Sequence, residues 1–382
     1  MVMSATSQRR AVIDVGTNSV KLLVADIEGA QVSPVAEESV TTRLGAGFYE
    51  TKRLGQDAIA KTAAAVARYA AKAGNLGASS VLVIGTSAAR DARNATQLAG
   101  AILQESGLAI KILTGKEEAE WAFRGVTGDP RLARWPVLAL DVGGGSTEFI
   151  LSEKGLPRFC HSYELGAVRL LEQLRPGDPP GLEAMGRCRV VLREMLDREV
   201  APALEPVLQQ YPKARLVGMG GTAIVLARMD AKAKNFNREQ IEAAILPVGR
   251  LRTTLKTLWR LPLARRREIP GLPADRADVI LTGTAIYEAI MERFGFTRLR
   301  ISTRGLRYWA LLQEPESRPK EPPADAKAWG CSSTNEAMII PMKKGGRHCS
   351  VRPPNNQTNQ PLSLNGSRWE NQKPAQSRCQ NS

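Results

Sequence analysis

Two short turns in this 382-residue chain have the composition of phosphate cradles. DVGTNS at 14–19 and DVGGGST at 141–147 each place an aspartate at the end of an apolar run, then crowd glycines, hydroxyls and backbone N–H groups together. Such clusters suit phosphate oxygens. Gly16, Thr17, Asn18 and Ser19 in the first turn, and Gly143, Gly144, Gly145, Ser146 and Thr147 in the second, are therefore candidate phosphate contacts. A lone glycine-rich turn is as often a tight hairpin, and it is the duplication that favours a ligand. Asp14 and Asp141 suit a hard divalent cation, Mg2+ or Mn2+, that would itself touch phosphate. Where the first segment has Lys21, the second has Glu148. A carboxylate beside a phosphate turn is electrostatically awkward, which points to work on a metal or an attacking water; the plainer reading is a solvent-facing strand position. Glu117 and Glu118, in TGKEEAEWAFRGV, stand in a helix's first turn, where the helix dipole alone would account for them.

What must position these residues is a repeated framework. AVIDVGTNSVKLLVAD at 11–26 and LALDVGGGSTEFILSE at 138–153 share one pattern: apolar strand, Asp-Val-Gly, small polar turn, apolar strand. Two equivalent hairpins follow, each opening one half of the chain. Downstream, the spacing predicts a helix over 56–72, a buried strand at 79–85, a helix through Gln104 capped by Asn94 and Gln97, a strand at 109–113 and a helix from Lys116. The second half repeats the alternation: a strand at 216–219, helices at 222–229, around Ile241 and Leu255, and at 284–294. The expected fold is mixed α/β in two halves, 10–128 and 129–312. Beyond Gln313 the composition turns to Pro, Asn, Gln and Ser without periodicity, and 313–382 reads as a disordered or non-native tail.

The length fits two domains with residues to spare. No apolar run approaches the roughly 20 residues that cross a bilayer, and the N-terminus lacks the apolar stretch of a signal peptide, so a cytoplasmic protein with no membrane partner is expected. Five scattered cysteines without CxxC spacing argue against zinc or a disulfide framework. The net charge of +15 favours polyanionic partners. With 5% aromatic residues and no interleaved basic run, specific nucleic-acid binding has little support.

Taken together, DVGTNS, RLG at 43–45, TSAARDA at 86–92, GKEEA at 115–119, DVGGGSTE at 141–148, LGAVR at 165–169 and GGT at 220–222 resemble the exopolyphosphatase and guanosine pentaphosphate phosphohydrolase family. Their order and spacing match over about residues 10–312, and GKEEA combined with DVGGGSTE is far more specific than either alone. The resemblance implies a duplicated actin-like, ribonuclease-H-like fold with its active site in the interdomain cleft. It implies that Glu118 and Glu148 position and deprotonate the attacking water, that Asp141 binds Mg2+ with Asp14 near it, and that the two turns hold phosphate. Lys21 and Arg90 would contact phosphate; Arg169, Gly220, Gly221 and Thr222 are weaker candidates, Arg169 being as readily a surface ion pair. Longer relatives carry a C-terminal HD-type metal domain, for which the remainder of this chain, with one histidine, lacks the ligands.

The activity so implied is exopolyphosphatase, with inorganic polyphosphate as substrate; the close alternative is removal of the 5′ γ-phosphate of guanosine pentaphosphate by the same groups. A kinase on the same fold is disfavoured by the two glutamates, and a silent alarmone or polyphosphate sensor by retention of Glu118, Asp141 and Glu148. A covalent intermediate lacks support, since the chain's histidines are His161 and His348. A homodimer is left open.

Overall fold

The computed structural model describes residues 7–313, apart from 130 and 133; the expected tail therefore lies outside the described residues. Among the described residues, eleven strands form two sheets. The first contains β1 (Gln8–Val15), β2 (Ser19–Glu28), β3 (Gln31–Thr41), β4 (Ser80–Gly85) and β5 (Ile110–Ile112), in the order β3-β2-β1-β4-β5. The second contains β6 (Val137–Val142), β7 (Thr147–Glu153), β8 (Leu156–Tyr163), β9 (Arg215–Met219), β10 (Ile245–Pro247) and β11 (Arg298–Ile301), in the order β10-β11-β9-β6-β7-β8. In both, a three-stranded antiparallel meander is extended from its first strand by parallel partners: β1 to β4 to β5, and β6 to β9 to β11. The sequence repeat is thus a repeat of topology. Parallel extension buries both faces, which is why β1 from Ala11 and β6 from Val137 are continuously apolar up to their aspartates.

Each sheet packs its helices into its own core. Leu98 and Ile102 of helix Ala95–Ser106 and Ile59, Ala63 and Val66 of helix Gln56–Asn75 cover one face of the first sheet. Helices Gly181–Met195, Val248–Arg260 and Ile280–Arg293 cover the second, around the buried Trp259 and Tyr287. A third cluster joins the halves: Val12, Leu23 and Ile84 of the first sheet meet Ala139, Ile150 and Val217 of the second across Trp121 and Phe123 of helix Gly115–Thr127. Helix Leu306–Leu312, last in the described chain, packs against that same helix and against β1.

The expected elements appear with shifted ends. Helix Ile280–Arg293 begins a turn before position 284, since Thr282 and Thr284 return their hydroxyls to backbone carbonyls and so cost the helix little. The helix after Asn94 starts as expected, but Asn94 does not cap it. Its amide instead ties Leu54, accepting from the Leu54 N–H at 2.8 Å and donating to the Leu54 carbonyl at 3.0 Å.

Candidate active site

The two turns are built alike. In the first hairpin Asp14 pairs with Lys21 and Val15 with Val20; in the second Asp141 pairs with Glu148 and Val142 with Thr147. Each turn closes with the same bond, Gly16 N–H to the Ser19 carbonyl at 3.1 Å and Gly143 N–H to the Ser146 carbonyl at 3.0 Å. Lys21 and Glu148 therefore occupy one register position in opposite halves, as the repeat requires. Each turn is also buttressed from outside by a family motif. The Gly45 N–H donates to the Thr17 carbonyl at 2.8 Å, and those of Ala167 and Val168 donate to the carbonyls of Gly143 and Gly144 at 2.9 and 2.8 Å. The turns themselves meet face to face: a Cβ on Gly144 would lie 2.8 Å from Thr17 Cβ, so glycine is needed for the approach.

Between them lies a cavity of about 110 Å3 lined by both turns and by Asp14, Lys21, Glu118, Asp141, Glu148 and the Gly220–Thr222 segment. It is unusually acidic for a place expected to hold anions. Glu118 and Glu148 are buried, and Asp141 keeps only part of its surface accessible. Burial pushes the Glu118 carboxyl up to about 7 against the opposing pull of Arg90, and Asp14 and Asp141 add to the rise. Burial likewise holds Glu148 well above the carboxylate range, with the charges of Glu118 and Asp141 adding to it. Asp141 is raised by burial, with Lys21 pulling the other way. Like charges packed this closely cannot all ionise.

Local structure explains why neighbouring glutamates have different fates. Thr114 caps helix Gly115–Thr127 in a capping box, and the Glu117 carboxylate accepts from the Thr114 N–H at 2.8 Å. Glu118, one position on, turns into the cavity, where Arg90 Nη1 donates to its Oε2 at 2.8 Å. On the facing side, Ser162 of β8 donates to Glu148 Oε1 at 2.7 Å.

Of the residues expected at the site, Gly16, Thr17, Asn18, Ser19, Gly143, Gly144, Gly145 and Ser146 all line the cavity. Thr147 does not: it is fully buried, and its hydroxyl donates to the Leu165 carbonyl, fastening the turn to the LGAVR segment. Arg90 reaches the site through Glu118 and is held by the Leu113 carbonyl at 3.2 Å and Asp91 at 3.1 Å. Arg169 lies behind the second turn, donating to the Gly145 carbonyl at 3.0 Å and to Glu164 at 2.6 Å, with its guanidinium 4.5 Å from the centre of the Tyr49 ring. Thr222 lines the cavity but donates its hydroxyl to the Val142 carbonyl at 2.8 Å.

Two cations at the cavity escaped sequence reasoning. Arg276 donates to Ser19 Oγ at 3.0 Å and has no carboxylate within ion-pair distance among the described residues. Arg307 donates to the Leu22 carbonyl at 3.1 Å and pairs with Glu37 at 2.5 Å. Both come from far along the chain, in segments without turn or repeat signatures, and only the charge of +15 hinted at them.

Among the described residues no group of three or more His, Cys, Asp or Glu is arranged to hold a metal by itself. Asp14 and Asp141 nevertheless offer hard oxygen donors beside the turns. Asp14 Oδ1 is buried with no hydrogen-bond partner, while its Oδ2 is 3.6 Å from Lys21 Nζ. Gly220, at φ +74°, lets the backbone approach Asp141 so closely that a Cβ would lie 2.0 Å from Oδ1. An orphaned buried carboxylate oxygen fits a cation that draws its remaining ligands from water and substrate, as Mg2+ does.

A duplicated α/β fold with two phosphate-type turns and a carboxylate pair between them defines a class of phosphate-transferring and phosphate-releasing proteins. Within that class, residues 23–314 match the model of the Ppx/GppA phosphatase family, and the chain belongs to that family. Exopolyphosphatase 2 of Mycobacterium tuberculosis is 33% identical over 309 residues, covering 77% of this chain and 94% of its own length. Exopolyphosphatase 1 of Mycobacterium bovis is 29% identical, with 81% and 89% covered. The solved Ppx/GppA family member from Aquifex aeolicus superposes with a TM-score of 0.65 at 28% identity, covering 80% of this chain and 97% of that one. An exopolyphosphatase from Cytophaga hutchinsonii superposes at 0.71 and 26%, with the same coverage. The actin-like architecture is thereby shown, and the protein is a hydrolase. Among the described residues no helix is long and apolar enough to cross a membrane.

Proposed function

We propose that this chain is an exopolyphosphatase, releasing orthophosphate from the end of inorganic polyphosphate. The observation that carries the reading is the pair Glu118 and Glu148, buried opposite two N–H-rich turns, with the charge of Glu118 adding to the raised proton affinity of Glu148. The exopolyphosphatases similar to this chain support the same substrate class.

Phosphoanhydride hydrolysis needs a water held in line and neutralisation of the charge that spreads over the transferred group. The turns, with Gly16, Thr17, Asn18 and Ser19 on one side and Gly143, Gly144, Gly145 and Ser146 on the other, would clamp the terminal phosphates by hydroxyl donors and by the backbone N–H groups not used in the closing bonds of Gly16 and Gly143. Lys21 and Arg276 would supply positive charge. Held between two coupled carboxylates, one proton leaves the other carboxylate free to accept. As the water oxygen bonds to the terminal phosphorus, its proton passes to that carboxylate. The bridging P–O bond breaks, and its electron pair leaves on the shortened chain. Arg90 fixes Glu118, and Ser162 fixes Glu148, in the orientation this needs. Asp14 and Asp141 would hold Mg2+ or Mn2+, which when bound supplies Lewis-acid neutralisation of the phosphate oxygens.

The test is phosphate release from defined polyphosphate chains and from guanosine pentaphosphate, each with Mg2+, with Mn2+ and with excess chelator. Expected are turnover of polyphosphate at higher kcat/KM, and its loss in chelator with recovery on adding either metal. Preference for guanosine pentaphosphate would transfer the assignment to the alternative substrate, and full activity in chelator would remove the metal from the site.

A further inference from the structure

The second sheet has two ends, and the active site uses one of them. Gly220 and the turn at 143–146 follow the carboxyl ends of β9 and β6. At the opposite, amino ends lies an open cavity of about 580 Å3, some five residues up β9 and so about 16 Å away at roughly 3.3 Å per residue. Its walls carry Arg215, Arg298 and Arg300. In the parallel register Leu299 pairs with Leu216 and Arg300 with Val217, so the alternation of a strand puts all three arginines on one face. Leu216, Leu299 and Ile301 take the other face, into the core.

Many arginines among the described residues are paired with a carboxylate. Arg293, in the same wall, is neutralised by Asp197 and by Glu205 at 2.5 Å. Arg215, Arg298 and Arg300 have no carboxylate within ion-pair distance among the described residues. Arg215 instead lies over Trp135, its guanidinium carbon 3.5 Å from the ring centroid. Burial, then the charge of Arg300, pulls its affinity for a proton below that of an ordinary arginine. Like charges gathered without a counter-ion repel one another, and a bound polyanion relieves that repulsion while gaining forked, charge-assisted hydrogen bonds.

We propose that the amino ends of β9 and β11 form a second anion site, separate from the catalytic cavity, which takes the phosphate chain of a multiply phosphorylated small molecule. Arg298 and Arg300 grip the phosphates, and Arg215, braced on Trp135, closes the end of the groove. The cavity's volume of about 580 Å3, with Phe294 and Phe296 in its wall, admits a nucleoside as well as inorganic phosphate, so the shared chemistry is a chain of two or more phosphates. The assignment stands independently of which substrate the catalytic cavity prefers.

Calorimetric titration of the full chain with a non-hydrolysable methylene-bridged triphosphate tests this, read as stoichiometry. Two sites are expected in the wild type and one in Arg298→Ala/Arg300→Ala, or an affinity at the second site weakened at least tenfold. Neither residue touches the catalytic cavity, so kcat and KM for a short polyphosphate should stay within twofold of wild type. Arg298→Glu, which changes one exposed side chain and places a carboxylate among the arginines, should abolish the second site on its own and guards against misfolding of the double variant. A guanosine triphosphate analogue with a methylene β,γ-bridge is the second arm. Equal affinity assigns the site to the phosphate chain alone, and affinity at least tenfold tighter assigns it to a nucleotide. One site in the wild type, or two unchanged sites in Arg298→Glu, would overturn the proposal.

Discussion

Replacing Arg90 by glutamine should move the acid limb of the pH profile rather than merely slow the enzyme. Arg90 Nη1 lies 2.8 Å from the buried Glu118 carboxylate and is its cationic partner, yet burial still holds that carboxyl at about 7. At an effective dielectric constant of about 20, two unit charges about 4 Å apart interact by roughly 4 kcal/mol, an upper bound for so close a pair. An adjacent arginine lowers a carboxylate by about 1–3 units in practice. Allowing for partial solvation of the guanidinium, removal should carry Glu118 up by about 1–2 units. A base works only when ionised, so the pH at which activity switches on rises with it. At pH 7 the ionised fraction would fall from about a half to about 1–10%, and kcat/KM with it by about 5–50-fold. Raising the pH toward 9.5 should restore most of the loss. Arg90→Lys, which keeps the charge, should shift the limb by less than half a unit. The assay is kcat/KM for a short polyphosphate between pH 5.5 and 9.5, with melting temperatures measured alongside. A limb that stays in place while the whole profile drops would mean that Arg90 acts on substrate and not through Glu118.

Glu148→Gln should lose turnover by about 10² or more while keeping substrate affinity, as the loss of one member of the carboxylate pair that handles the water's proton predicts. It should also gain stability with rising pH. The native state holds the Glu148 proton more tightly than the unfolded chain, so the wild type is stabilised by that group at low pH and loses the contribution as pH rises through the folded value. The melting-temperature gap between variant and wild type should therefore widen from pH 5 to pH 9, and a gap that does not change with pH would contradict the buried-proton account. Gly220→Ala puts a Cβ 2.0 Å from Asp141 Oδ1 on a left-handed backbone. The metal concentration for half-maximal activity should rise about tenfold or more, and a value equal to wild type would detach Asp141 from the metal.

The sequence by itself determined the duplicated framework. The DVG turns can be read in one dimension because a hairpin is local: its glycines, its flanking apolar runs and its register all fall within sixteen residues, and the repeat then aligns Lys21 with Glu148. It also signalled a helix from Lys116; the structure starts it one residue earlier, at Gly115, behind the Thr114–Glu117 capping box. Motif resemblance, not spacing, singled out Glu118, because capping explains either glutamate equally well. Tertiary structure alone decided which one faces the cavity. It turned the Thr147 hydroxyl away toward Leu165, and it placed Arg90 on a carboxylate and Arg169 behind the turn. It also brought Arg276 and Arg307 into the site across more than 250 residues of chain, and set Arg215 beside Arg298 and Arg300 on adjacent strands. These outcomes depend on which strands become neighbours and on how two halves close over one cavity. Charge and burial at each site are sums over such non-local neighbours, and no window of sequence contains them.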